Sequence, residues 1–195
     1  MQQKLPIDDQ LTVEEFLAMT DTRPDGEKWE LIEGLAILNP SPANFHQVIA
    51  LNIGSALSDW KATHDVPWVP LLGIGTRVPV SPRSLPQPDI QVFAEQPKEY
   101  SSETRDGLVL FEVLSDSNTR ADQAWRLKVY ASIANCQHYV TVAQHKPLVT
   151  RHDRASGWKP VIIKGLAATL DLPALGATIP LSLIYRWTPV SEAKR

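Results

Sequence analysis

The segment Leu108-Val109-Leu110-Phe111-Glu112-Val113-Leu114 is apolar except for one carboxylate, and Gly107 and Ser115 bound it. A short unbroken run of this kind reads as a strand buried on both faces. It commits the chain to a sheet covered by other elements. An ionised Glu112 in that place is costly unless something pairs with it. A strand side chain does not easily reach solvent, so the compensator is a cation or a bound metal.

Upstream, Pro88-Asp89-Ile90-Gln91-Val92-Phe93 reads as a second strand, opened by an acid. The stretch from Glu95 to Gly107 between them is polar. An antiparallel hairpin centred near Tyr100 and Ser101 sets Asp89 opposite Glu112. Two carboxylates at one end of a sheet suit a hard divalent cation. As like charges in a partly buried place, each is expected to raise the other's pKa. The plainer readings stay open here. Glu112 alone fits a structural acid paired with Arg or Lys, and Asp89 alone fits a turn residue.

Ser115-Asp116-Ser117-Asn118-Thr119 then supplies helix N-cap candidates, and a helix is expected from about Arg120 to Ala134. At about 100° per residue, Asp122 and Arg126 share one side. The surface neighbours of Lys128 are Ala121, Ala124 and Ser132, with Trp125 alongside. That small-residue face suits close packing on a sheet. Lys128 is then either a rim residue extending to solvent or an amine aimed at the carboxylates.

The remaining pattern places these elements in one α+β domain spanning residues 1–195, with frayed termini. Thr12-Val13-Glu14-Glu15 is a capping box opening a first helix. Lys28 to Leu38 is a strand pair turning at Glu33-Gly34. Asn44 starts a second helix, with Gln47 at the capping-box position. Val66 to Val80 is extended and broken by prolines, as a hairpin at a sheet edge would be. Three short strands follow the Lys128 helix, near 138–143, 147–151 and 158–163. The architecture expected is a central twisted sheet, mixed or antiparallel, flanked by helices.

Composition narrows the function. Charged residues make up 21% of the 195 residues and the net charge is −3. No run approaches the roughly 20 apolar residues of a membrane span, and no apolar signal core opens the chain. No membrane association is expected. One cysteine, Cys136, excludes an internal disulfide and suits a reducing cytoplasm. The five histidines are scattered, without zinc-site spacing. The acidic balance argues against a broad basic nucleic-acid footprint. Arg77, Arg83 and Arg105, near the Asp89 strand, are the candidates for a local nucleic-acid groove.

Pro88-Asp89, Glu112-Val113-Leu114-Ser115, Asp122, Lys128 and Tyr130 together resemble the Uma-two family of restriction-endonuclease-like proteins, in the PD-(D/E)XK nuclease superfamily. Trp29-Glu30-Leu31-Ile32-Glu33-Gly34, Asn39-Pro40-Ser41-Pro42 with His46, and Cys136-Gln137-His138-Tyr139-Val140 agree in order. The resemblance spans most of the chain. It implies a restriction-endonuclease-like fold and phosphodiester hydrolysis, in DNA, dependent on Mg²⁺ or Mn²⁺. It makes Asp89 and Glu112 the metal ligands, with the Val113 carbonyl as a third oxygen. It adds Glu30 as a third acid, His46 to orient a water or phosphate oxygen, and Asp122 and Tyr130 in support. The superfamily pattern has Lys two residues after the Glu, where this chain has Leu114, so the resemblance assigns the amine to Lys128. A cutter of duplex DNA gains from two sites, and a homodimer is the expected assembly. Two rival readings are a non-catalytic nuclease-fold module, binding nucleic acid or a protein partner, and a small-molecule phosphodiesterase.

Overall fold

The computed structural model describes residues 3–4, 10–24 and 26–192. In chain order it runs β1 (Gln3–Lys4), α1 (Val13–Thr20), β2 (Lys28–Ile32), β3 (Leu35–Asn39), α2 (Asn44–Thr63), β4 (Val69–Leu72), β5 (Gly75–Thr76), β6 (Ile90–Phe93), β7 (Glu103–Thr104) and β8 (Val109–Leu114). It continues with α3 (Arg120–Ala131), β9 (His138–Ala143), β10 (Leu148–Asp153), β11 (Pro160–Lys164), β12 (Thr169–Leu172), β13 (Ala177–Pro180), α4 (Leu181–Ile184) and α5 (Pro189–Glu192). The central sheet has six strands in the order β11-β10-β9-β8-β6-β4. β8 and β9 are parallel, joined through α3, and the other neighbours are antiparallel. The fold is a mixed α+β architecture with a mixed central sheet, as the sequence implies.

β8 lies inside this sheet, and its alternation decides what meets what. Val109, Phe111 and Val113 face α2, whose Ile49, Ile53 and Leu57 share their core. Leu110 faces the other way, toward Val129, Tyr130 and Ile133 on and just after α3. Glu112, two residues on from Leu110, therefore points to the α3 side. The register pairs Ile90 with Phe111 and Gln91 with Leu110, so the next rung sets Asp89 opposite Glu112, as the sequence implies. Asp89 lies one residue before β6, with its N–H on the Phe111 carbonyl at 3.1 Å.

β2 and β3 form a hairpin in a separate sheet with β1. Its turn is Glu33-Gly34, with φ of 49° and 81°. Two positive φ values match a tight hairpin turn. A Cβ on Gly34 would meet Gln10 at 2.6 Å, so glycine is required twice over. Leu31 bridges to Leu85, which ties the hairpin to the chain leading into Asp89.

Three local expectations need correction. The extended stretch after Val66 does not fold on itself as a hairpin: β4 pairs with β6 at the sheet edge, and β5 pairs in parallel with β7. Gly73, at φ 59°, breaks the two apart. α2 has Ala43 as N-cap with no side-chain cap, so Asn44 and Gln47 form no capping box. The C-terminus is ordered further than the expected fraying implies: Val190 is buried in the core and belongs to α5. The last three residues lie outside the described ones.

Candidate active site

A cavity of about 150 Å³ opens where the β2–β3 hairpin, the start of α2, the ends of β6 and β8, and α3 converge. Lys28, Glu30, Asn39, His46, Asp89, Glu112 and Arg126 line it, with the loops 40–43 and 115–118. Glu30, His46, Asp89 and Glu112, predicted from sequence, are thus brought together.

Each carboxylate has its own partners. Asp89 Oδ1 accepts from Lys28 Nζ at 3.0 Å. Its Oδ2 accepts from the Val113 N–H at 2.9 Å and lies 3.3 Å from His46 Nε2. Glu30 receives Arg126 bidentately, at 3.0 Å on Oε1 and 2.9 Å on Oε2. It also accepts from the Gln87 N–H at 2.7 Å and from Asn39 Nδ2 at 2.9 Å. Glu112 Oε1 accepts from Arg126 Nη1 at 2.9 Å and from the Tyr130 hydroxyl at 2.8 Å. Among the described residues nothing donates to Glu112 Oε2. Among the described residues the buried His46 Nδ1 has no hydrogen-bond partner.

These partners separate the acids electrostatically. Burial pushes the Glu112 carboxyl up to about 7; Arg126 opposes this, and the charges of Asp89 and Glu30 add to it. Burial acts on Asp89 too, but the His46 hydrogen bond, the Lys28 charge and the Val113 N–H overcome it and hold Asp89 down at about 2. The expectation that both acids would rise is therefore corrected for Asp89. Glu30 is lowered: its burial is outweighed by Arg126, by the Gln87 N–H and by Lys28. Lys28 loses charge preference through burial, but Asp89, Glu112 and Glu30 more than restore it, and its pKa is raised.

Lys128 does not join this group. It is exposed, and its charge falls on Glu33 at the hairpin tip. The helix turns its larger Val129 and Tyr130 inward and leaves Ala121 and Ala124 exposed, so the small-residue face is the outer one. Burying the larger apolar side chains removes more surface from water. The inward cation is Arg126, and Tyr130, one turn on, shares its face. Asp122 belongs to the helix start instead. It closes a capping box with Thr119, accepting from the Thr119 N–H at 2.9 Å. Arg77, Arg83 and Arg105 lie away from the cavity. Arg77 is held by Glu103 and Glu14, Arg83 by Gln10, and Arg105 lines a different hollow with Arg77.

Sequence reasoning missed Lys28 and the role of Arg126. Lys28 was legible: it stands two residues before Glu30 on the same strand, hence on the same face. The helix pattern marks Arg126 only as a neighbour of Asp122.

Whether a divalent cation fits can be judged from the donors. Among the described residues no three His, Cys, Asp or Glu side chains form a metal-holding group. The donor types do fit. Among the described residues Glu112 Oε2 is uncommitted, Asp89 faces it across one rung, and the Val113 carbonyl leaves the strand on the same side as its N–H, toward Asp89. Hard cations take such oxygens.

Comparison with known proteins agrees with this architecture. The model of the Uma2 family, described as "Putative restriction endonuclease", matches residues 13–182. A crystal structure of a "putative nuclease belonging to DUF820" from Anabaena variabilis superposes with a TM-score of 0.72 at 17% identity, covering 91% of this chain and 98% of that one. No curated protein matches. Among the described residues no helix is long and apolar enough to cross a membrane. The family match runs from the first helix to the start of α4 and includes every cavity-lining residue just described, so the chain belongs to the Uma2 family of nuclease-like proteins.

Proposed function

We propose that the protein is a divalent-metal-dependent endonuclease that hydrolyses phosphodiester bonds in DNA. The observation that carries this reading is the Asp89–Glu112 rung at the mouth of a cavity that also holds two cations, Lys28 and Arg126. Asp89, Glu112 and the Val113 carbonyl would hold Mg²⁺ or Mn²⁺. Such an ion, when bound, polarises the scissile phosphate and acidifies a water.

The chain's own groups divide the remaining work. Lys28 uses one of its donors on Asp89 and its side chain is 30% exposed, so it is the amine able to meet a phosphate oxygen. Preorganised charge of this kind is typically worth about 3 kcal/mol to a transition state. Arg126 is the positioning residue: one guanidinium fixes both Glu30 and Glu112. Tyr130 holds the same Glu112 oxygen, which keeps Oε2 turned to the cavity side. His46 donates to Asp89 from Nε2 and leaves Nδ1 as an acceptor for a water or hydroxyl.

One observation favours a second reading, the non-catalytic nuclease-fold module. Arg126 and Lys28 already neutralise much of the acidic charge. Incubating purified protein with plasmid and oligonucleotide DNA in EDTA, Mg²⁺ and Mn²⁺ separates the two. Cleavage in metal only, lost in both Asp89→Ala and Glu112→Ala, is the expected result. Metal-dependent cleavage that survives in Glu112→Ala would overturn the assignment.

A further inference from the structure

Beside the cavity, on the far side of Lys28, lies a larger hollow of about 570 Å³. The two share Lys28, Pro42 and Asp89 as a common wall. Its size is that of a small-molecule site. Its two sides are apolar and unusually open: Leu51 from α2 is 55% exposed and Leu72 from the edge strand β4 is 58% exposed. Both are large aliphatic side chains left facing solvent next to a buried charged site. Gln47 stands one helical turn before Leu51 on the same face of α2, and among the described residues its side-chain amide makes no hydrogen bond. Gln87 closes the other end; its Nε2 donates to the Gly73 carbonyl, and among the described residues nothing donates to its Oε1.

We infer that this hollow is the subsite for an unstacked nucleobase next to the phosphate being cut, which makes single-stranded or locally opened nucleic acid the substrate class. The inference rests on the nuclease reading of the adjoining cavity. A base offers two apolar faces and a polar edge. Leu51 and Leu72 supply apolar surfaces for the faces, and the Gln47 and Gln87 amides supply donors and acceptors for the edge. Single-strand readers recognise splayed bases in this way. The occupant is named by continuity: a phosphate beside Asp89 and Lys28 places its own nucleoside within reach of the shared wall. A base inside a duplex reaches such a pocket only after unstacking, which costs a few kcal/mol. Among the described residues the hollow's one cation is Lys28, beside the acids Glu27 and Asp89, so the contact is made with the base more than with further phosphates.

The test separates this inference from the nuclease reading. Fluorescence anisotropy in EDTA would measure binding of a labelled single-stranded DNA dodecamer, the same strand as a duplex, and a dodecamer of abasic nucleotides. Leu51→Ser, Leu72→Ser and Gln47→Ala would be compared with wild type; the two leucines are solvent-facing, and thermal melts would confirm folding. We expect the single strand to bind at least about tenfold tighter than the duplex. The leucine variants should bind it about tenfold more weakly while binding the abasic strand as wild type does. Equal binding by wild type and variants would overturn the inference, as would equal affinity for abasic and normal strands. So would a wild-type dimer that Leu51→Ser dissociates in sedimentation, because the hollow would then be a contact between copies. Cleavage is read separately. Metal-dependent cutting with unchanged KM in the leucine variants removes the subsite and leaves the nuclease; base-dependent binding without any cutting removes the nuclease and leaves the subsite.

Discussion

Asp89 and Glu112 face each other across one rung of the sheet, yet they are held in opposite protonation preferences, Asp89 at about 2 and Glu112 at about 7. Their partners explain it. Asp89 has the direct contacts of Lys28, His46 and a backbone N–H to itself. Glu112 shares Arg126, the cation that donates to it, with Glu30, which takes Arg126 through both oxygens. Three acids meet two fixed cations here, and the acid with the weakest claim on them carries the surplus.

Stability should therefore depend on pH in two directions. The folded pKa of Glu112 is raised above its ordinary 4.5. Its contribution is full below that value and is lost as pH rises through about 7. The folded pKa of Asp89 is depressed below its ordinary 3.8, so its contribution is present above that value and lost as pH falls toward about 2. As far as these two groups decide it, stability peaks at roughly pH 4–5. Urea midpoints in EDTA from pH 3 to 8.5 check this. The decline between pH 5 and 7.5 should flatten in Glu112→Gln; an unchanged decline would show that another group is responsible.

The two acids on Arg126 should differ when neutralised. Glu112→Gln at pH 8 leaves Arg126 paired with Glu30 and removes one buried like charge, so stability should be unchanged within about 1 kcal/mol or should rise. Glu30→Gln removes the bidentate partner and weakens what the Gln87 N–H and Asn39 donate to, and should cost about 3 kcal/mol or more. Denaturation of both variants in EDTA decides the order. A larger loss in Glu112→Gln would mean that Glu112 is the principal partner of the guanidinium.

Much of this site was legible in the chain. An acid in a buried strand and a second acid at a strand entrance were enough to set the Asp89–Glu112 rung, because strand register has a period of two and one hairpin centre fixes every pair. The Glu33-Gly34 turn followed from the same local chemistry. The helix cation did not. Small residues around Lys128 suggest a packing face, but on an amphipathic helix the face that buries Val129 and Tyr130 wins, and it carries Arg126 inward. Asp122 has a local job that propensity alone predicts, the N3 position of a capping box. Lys28 was missed because no apolar pattern frames it; only its place on the face of Glu30 marks it. The hollow beside it depends on Leu51 of α2 and Leu72 of β4 lining one space, a tertiary relation that no local pattern contains.

The placement of the two lysines makes a direct contrast in activity. Lys28→Met should lower the rate of metal-dependent cleavage by about 10²-fold or more, since it removes the amine beside the cavity. Lys128→Met should leave cleavage near the wild-type rate, because that side chain lies outside. Single-turnover cleavage of a labelled strand, with melts to confirm folding, measures both. A lost rate in Lys128→Met with a normal rate in Lys28→Met would return the catalytic amine to α3.

Metal binding should be visible without any turnover, and its pH dependence should carry the signature of Glu112. The ligand form of a carboxylate is the ionised one, so an ion that takes Glu112 must displace the proton that burial favours below about 7. Mn²⁺ at about 100 times its Kd should stabilise the wild type by about 2.7 kcal/mol, which is roughly 5–10 °C in Tm for a chain of this size. Affinity should then fall by roughly tenfold for each pH unit below 7, in step with the protonation of Glu112. EDTA should reverse the shift. Asp89→Asn and Glu112→Gln should both abolish it, and the latter should do so without the destabilisation that a lost structural pair would bring. Melts of wild type and the two variants at pH 6, 7 and 8, with and without Mn²⁺, give all of these readings at once. A wild type indifferent to Mn²⁺ at pH 8 would leave Asp89 and Glu112 as members of the ion-pair network alone.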